Sequence, residues 1–181
     1  MLAYKGFEKG LICRGYQFIM GKNVTEQANC QRNGFHCAAN PLDCLYHYPN
    51  IYTSEYYLVK AEGDLDEDAY DSKISCTELT ILRRLDVEQL ILHGLAYMTD
   101  HPLLEWSSKV NRDRGTAGGG YTVVRGCDPM ARGKLGDILA LARENAQGTR
   151  IEEIAITRVD GEKILPGIWY GIDWKARSAR L

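Results

Sequence analysis

Six carboxylates crowd ten residues of the chain: Glu62, Asp64, Asp66, Glu67, Asp68 and Asp71, with no basic side chain between Ala61 and Ser72. Like charges this close repel one another, so the segment needs full solvation or a positive partner. Asp64, Asp66 and Asp68 alternate as the hard oxygen ligands of calcium do. An EF-hand loop counted from Asp64, however, requires Gly at its sixth position and Glu at its twelfth, where Ala69 and Ser75 stand. A row of carboxylates can also mimic nucleic-acid phosphates and enter a basic channel on another macromolecule, or it can be a solvated hairpin tip. Tyr46, Tyr48, Tyr52, Tyr56, Tyr57 and Tyr70 surround it, and tyrosine anchors interfaces well. The partner-binding set is therefore Glu62, Asp64, Asp66, Glu67, Asp68, Asp71 and Tyr70. At strand positions 56 and 57 at least one ring must face the core.

Cys30, His36, Cys37, Cys44 and His47 form a second group. A zinc site takes four N or S ligands in tetrahedral geometry, but the paired C-x-x-C spacing is missing. His36 and Cys37 are adjacent, which on a strand points them to opposite faces. The group reads as a buried strand followed by a half-buried helix, and neither metal nor cofactor is assigned. Cys44 and His47, three apart on one helical face, have the spacing of a thiolate–imidazolium pair, but nothing marks an orienting third group. The run Gly115-Thr116-Ala117-Gly118-Gly119-Gly120 lacks the Gly-Lys-Ser/Thr of a phosphate loop and reads as a flexible linker. Beside it, Arg112, Arg114 and Arg125 are placed to contact a phosphate or an acidic partner. No catalytic motif emerges, and the balance leans away from an enzyme.

The elements that must position these groups follow from composition and periodicity. Hydrophobic residues make up 45% of 181, enough for a packed core. With 22 basic and 24 acidic side chains the net charge is -2, without the basic excess of a general nucleic-acid binder. No apolar run is long enough to span a bilayer, and the N-terminus lacks a signal-peptide pattern. The six cysteines read mostly as free, small buried hydrophobes in a reducing, cytoplasmic setting.

Residues 2–6 and 11–18 read as short strands, 23–33 as a polar stretch with a helical turn, and 35–38 as a buried strand. Asn40 caps a short helix whose first turn holds Pro41 and which Pro49 ends. Residues 55–61 and 73–82 are strands, with the acidic segment as the loop between them. Asp86 and Gln89 form a capping box for a helix whose stripe is Val87, Leu90, Ile91, Leu95 and Met98. Beyond residue 120 the texture is all β, with Val159-Asp160-Gly161-Glu162 as a hairpin turn. The expected fold is α+β: a mixed sheet with two helices in an N-terminal domain (1–100), a linker (101–117), a small β-rich C-terminal unit (118–174) and a frayed tail (175–181).

The blocks KGF…CRGYQF, NGFHCAANPLDCLYHYP, EYYLVKAEGD and VDGEKILPGIWY resemble a family of small phage and prophage proteins. The resemblance covers residues 3–80, returns weakly at 121–143 and clearly at 159–170. Many relatives carry a longer array of short Gly-Ala-Ser repeats in the middle, which is shortened or remodelled here. That resemblance implies a phage setting, and a phage accessory protein of this size without catalytic motifs looks like an inhibitor of a host defence system, in its most specific form an anti-CRISPR inhibitor. Its acidic projection would block DNA engagement by a Cas9-type effector nuclease or its guide-RNA complex, whose channels are positively charged. Neither sequence-specific nucleic-acid binding nor a membrane is expected. The order of elements is also similar to the core of ADP-ribosyltransferases of the diphtheria-toxin type, which use NAD. Matching by order gives Tyr48 for the aromatic and Glu78 for the acid, with Tyr4 and Lys5 where that family has His or Arg.

Overall fold

The computed structural model describes residues 1–29, 33–68 and 72–178. Strand dominates, and the chain divides into two compact units, Met1–Leu90 and Ile91–Leu181.

The first unit is built on β1 (Leu2–Glu8), β2 (Ile12–Cys13), β3 (Tyr16–Gln17), β4 (Gly21–Val24), β5 (Phe35–Ala38), β6 (Ser54–Glu67) and β7 (Lys73–Leu85). All its pairings are antiparallel, so the sheet expected to be mixed is not. β1 pairs along its whole length with β6, β6 with β7, β7 with β5, and β5 returns to β1 at Tyr4 and Ala38. These four strands thus close a ring. The second edge of β1 is shared: β5 meets it at Tyr4 and β2 meets it at Glu8. The core packs Ala3 and Phe7 against Tyr57, Val59, Ala61, Ile74, Leu79 and Ile81.

Residues 11–18 are two short strands joined at Arg14 and Gly15, both at positive φ (50° and 79°). Residues 23 and 24 of the stretch expected to hold a helical turn belong instead to β4, which pairs with β7, and residues 25–29 form no helix. Cys30 lies outside the described residues. The acidic segment is not a loop, because β6 runs on to Glu67 with Leu65 opposite Cys76 and Asp66 opposite Ser75. Between Glu62 and Leu65 the register slips, and Gly63 takes φ +74° against the side chain of Thr77, whose Oγ1 accepts from the Asp64 amide at 2.9 Å. A glycine bulge of this kind lets a ladder continue past an extra residue. Tyr56 and Tyr57 are both buried, one on each face of β6.

The Asn40 side chain accepts from Leu42 N at 3.1 Å and starts a 3-10 turn, Pro41–Asp43, that runs into α1 (Cys44–His47). α2 (Val87–Asp100) begins with the expected capping box: Gln89 N donates to Asp86 Oδ1 at 2.8 Å and Asp86 N to Gln89 Oε1 at 3.0 Å. Leu90, Ile91, Leu95 and Met98 of its stripe are buried. The unit boundary falls inside α2. Among the described residues no helix is long and apolar enough to cross a membrane.

The second unit carries β8 (Val110–Thr116), β9 (Tyr121–Arg132), β10 (Ile138–Glu144), β11 (Ile151–Arg158), β12 (Trp169–Tyr170) and β13 (Ala176–Arg177). This is the mixed sheet: β8 and β10 flank β9 in parallel, while β11 and β12 add antiparallel strands. Residues 110–116, expected in a linker, are therefore sheet, and residues 176–177 of the expected tail pair with β12. The residues after Arg158 do turn, with Asp160 Oδ1 accepting from the amides of Glu162, Lys163 and Ile164. They do not form a hairpin, since β11 pairs with β10 and β12 with β9. Arg125 does not offer its charge to a ligand. Its Nε lies 2.6 Å from Glu144 Oε1 with both side chains buried, and its guanidinium covers the Trp106 ring, as does that of Arg112.

Candidate functional site

The shared edge of β1 opens on a cavity of about 670 Å³, walled by residues from β1, β2, β5, the β2–β3 turn, α1 and the start of β7. That volume lies in the range of small-molecule pockets. Lys5 is the unusual wall residue. It alternates with Ala3 and Phe7 on the core-facing side of β1 and is only 5% exposed. Its Nζ donates to the main-chain oxygen of His36 at 2.6 Å and lies 5.2 Å from the ring centroids of Phe7 and Phe18. Cation–π contacts of this kind are worth about 0.5–2 kcal/mol. No carboxylate among the described residues is within ion-pair distance of it. A buried charge without a counter-charge is costly.

Arg14 and Lys73 add two more cations to the wall, against Glu8 and Asp43. Lys73 pairs with Asp68 at 3.1 Å, and Asp43 accepts from Ser72 Oγ at 2.6 Å. Burial holds His36 below the usual imidazole value, so it is neutral near neutral pH. The rings of Tyr16, Phe18 and Phe35 cluster at centroid distances of 4.7 to 5.4 Å, and Tyr16 remains 48% exposed at the cavity.

Cys13 is the accessible thiol of the wall. Its Sγ receives the Tyr48 hydroxyl at 3.1 Å and lies 3.6 Å from Lys5 Nζ. Tyr48 is held because its ring fills the space a side chain on Gly6 would take, and its phenol is raised by burial first and then by the Cys13 contact. Cys44 also lines the cavity, but burial pushes its thiol up to about 12. That burial disfavours the thiolate half of the pair expected with His47, and Cys44 packs in the interior. Among the described residues no group of His, Cys, Asp and Glu is arranged to hold a metal ion.

The structure brings together His36, Cys37, Cys44 and His47 at this cavity, a clustering the spacing suggested without revealing its purpose. Cys13, Arg14, Tyr16 and Lys73 were missed, and Lys5 was named only by order, beside Tyr4, where the transferase family has His or Arg. Lys5 had left a signal, as a lysine at the buried phase of an alternating strand. Cys13 had left none, because its partner Tyr48 is remote in sequence. Tyr48 lies at the cavity, whereas Glu78 does not line it and pairs with Lys22 at 2.7 Å.

Glu62, Asp64, Asp66 and Glu67 of the acidic set lie on β6, and none of them lines the cavity. Glu62 pairs with Lys60 at 2.6 Å, which lowers its pKa, and Asp68 pairs with Lys73. Asp64, Asp66 and Glu67 are exposed. Tyr70 and Asp71 lie outside the described residues. Tyr46 and Tyr52 are exposed.

Fold and cavity define an antiparallel β domain whose split strand edge forms a pocket. The chain belongs to the family described as Domain of unknown function (DUF7666), whose model matches residues 1–93, a stretch that contains every residue lining the cavity. No curated protein and no solved structure matches the chain.

Proposed function

We propose that the N-terminal unit is a receptor for a small anionic ligand of the nucleotide class. The observation that carries this reading is Lys5: a buried ammonium, lacking a carboxylate partner among the described residues, in the wall of a 670 Å³ cavity. Arg14 stands ready for further phosphate oxygens, and the half-exposed Tyr16 ring offers a face on which a base can stack. Base–aromatic stacking contributes about 1–3 kcal/mol. NAD falls within this ligand class, but the acid that order matching assigned to transfer chemistry, Glu78, is tied to Lys22 away from the cavity. The reading is therefore binding rather than ADP-ribosyl transfer. Calorimetric titration of the intact protein with AMP, NAD and uncharged adenosine tests it. The charged ligands should bind and adenosine should bind at least about tenfold more weakly, since charge-assisted hydrogen bonds contribute about 1.5–3 kcal/mol each. Equal binding of all three, or none, refutes it.

A second surface favours a second reading. Asp64, Asp66 and Glu67 are exposed together at the end of a long hairpin, the complement of a basic channel such as that of a Cas9-type effector. On this reading the protein is a phage-encoded inhibitor that obstructs DNA engagement by a host nuclease. Charge reversal at Asp64, Asp66 and Glu67 should abolish binding to such an effector at low salt while leaving the melting temperature nearly unchanged. Undiminished binding refutes it.

A further inference from the structure

We infer that Cys13 is a nucleophilic thiol of the cavity, directed at anionic carbon electrophiles. Two donors converge on its sulfur from different parts of the chain: the Tyr48 hydroxyl at 3.1 Å and the Lys5 ammonium at 3.6 Å. Both point a donor hydrogen at the sulfur, and the thiolate is the nucleophilic form of a cysteine. The convergence is built. Lys5 is 95% buried by its neighbours, being 5% exposed, and the Tyr48 ring is seated against Gly6. Tyr48 keeps its proton because burial raises its phenol, so it donates to the sulfur. Cys37, Cys44 and Cys76 are buried, whereas Cys13 is partly exposed at the cavity wall.

The reaction is a displacement. The Cys13 sulfur attacks the electrophilic carbon, an S–C bond forms, and the carbon–leaving-group bond breaks with its electron pair on the departing anion. The thiol proton passes to solvent. The preference for anions rests on the ligand class proposed above; the nucleophilicity rests only on the Lys5 and Tyr48 contacts.

Alkylation of the intact chain at neutral pH with iodoacetate and with iodoacetamide, followed by site-resolved mass spectrometry, tests both parts. Cys127 is exposed, and its thiol donates to the main-chain oxygen of Asn145 at 3.6 Å. It is the internal reference. Cys13 should react faster than Cys127 despite its lower exposure. Its iodoacetate-to-iodoacetamide rate ratio should exceed that of Cys127 by about threefold or more, the steering a positive cleft exerts on an anion. Tyr48→Phe should slow Cys13 with both reagents, and Lys5→Met should also remove the iodoacetate preference, while Cys127 is unchanged in each. Cys44 remaining unlabelled reports an intact fold.

Cys13 reacting no faster than Cys127 with either reagent overturns the inference. In that case AMP binding by Cys13→Ser, which leaves the cations in place, reports separately on the ligand reading. Fast reaction without an anion preference overturns the selectivity and counts against that reading too.

Discussion

The Lys5 ammonium donates to the main-chain oxygen of His36 at 2.6 Å, tying β1 to β5 at the split edge of β1. The bond gives the buried charge a partial partner and leaves it available to an anion. Lys5→Met removes a desolvated charge but strands the His36 carbonyl, two effects of opposite sign and similar size. Stability should stay within about 1 kcal/mol of the parent, while affinity for AMP falls at least about tenfold. Chemical denaturation and calorimetry measure the two.

Gly6 and Tyr48 compete for one volume, since a Cβ on Gly6 would run into Cγ and Cδ2 of that ring. Gly6→Ala should therefore cost about 1–3 kcal/mol, as overpacking does. It should also move the Tyr48 hydroxyl off Cys13. Thermal unfolding together with the Cys13 alkylation rate checks both effects in one variant.

In the second unit, Arg125 and Glu144 form a buried ion pair at 2.6 Å, and Arg125 also donates to the Pro102 carbonyl at 2.6 Å. Glu144→Gln leaves a buried guanidinium without its counter-charge and should destabilise the fold by about 3 kcal/mol. The double replacement Arg125→Met with Glu144→Leu should cost less than the sum of the two single changes, because it leaves no orphaned charge. A double-mutant cycle by denaturation measures the difference.

His36 makes stability depend on pH in a defined direction. Burial, the largest effect, holds its imidazole below the usual 6.5, only partly offset by the Asn29 main-chain oxygen. The unfolded chain therefore binds the proton more readily than the folded one. The contribution is full above about 6.5 and is lost as pH falls through the lowered folded value. His36→Gln should flatten the stability profile over that mildly acidic window, which denaturation at stepped pH detects. An unchanged slope would show that His36 titrates normally.

Local chemistry was enough to place several elements. Asn40 and Pro41 announced a helical start, Asp86 and Gln89 announced a reciprocal cap, and residues 2–6, 55–61 and 73–82 announced strands. These signals act between residues a few positions apart, so the sequence carries them by itself. The acidic segment was misread as a loop because charge density outweighed a quieter cue: Gly63 permits a bulge that only Thr77, on the opposite strand, reveals. The linker reading of 110–116 failed for a similar reason. Arg112, Asp113 and Arg114 carry no apolar alternation, and pairing with β9 alone makes them strand.

The pocket was decided by tertiary structure. Cys13, Lys5 and Tyr48 become neighbours because β1 gives one edge to β6 and divides the other between β5 and β2. Strand pairing is a choice among distant partners, set by total burial and register, and no local pattern encodes it. The sequence alone determined which residues were able to carry charge or donate hydrogen bonds. The folded chain decided which of them meet.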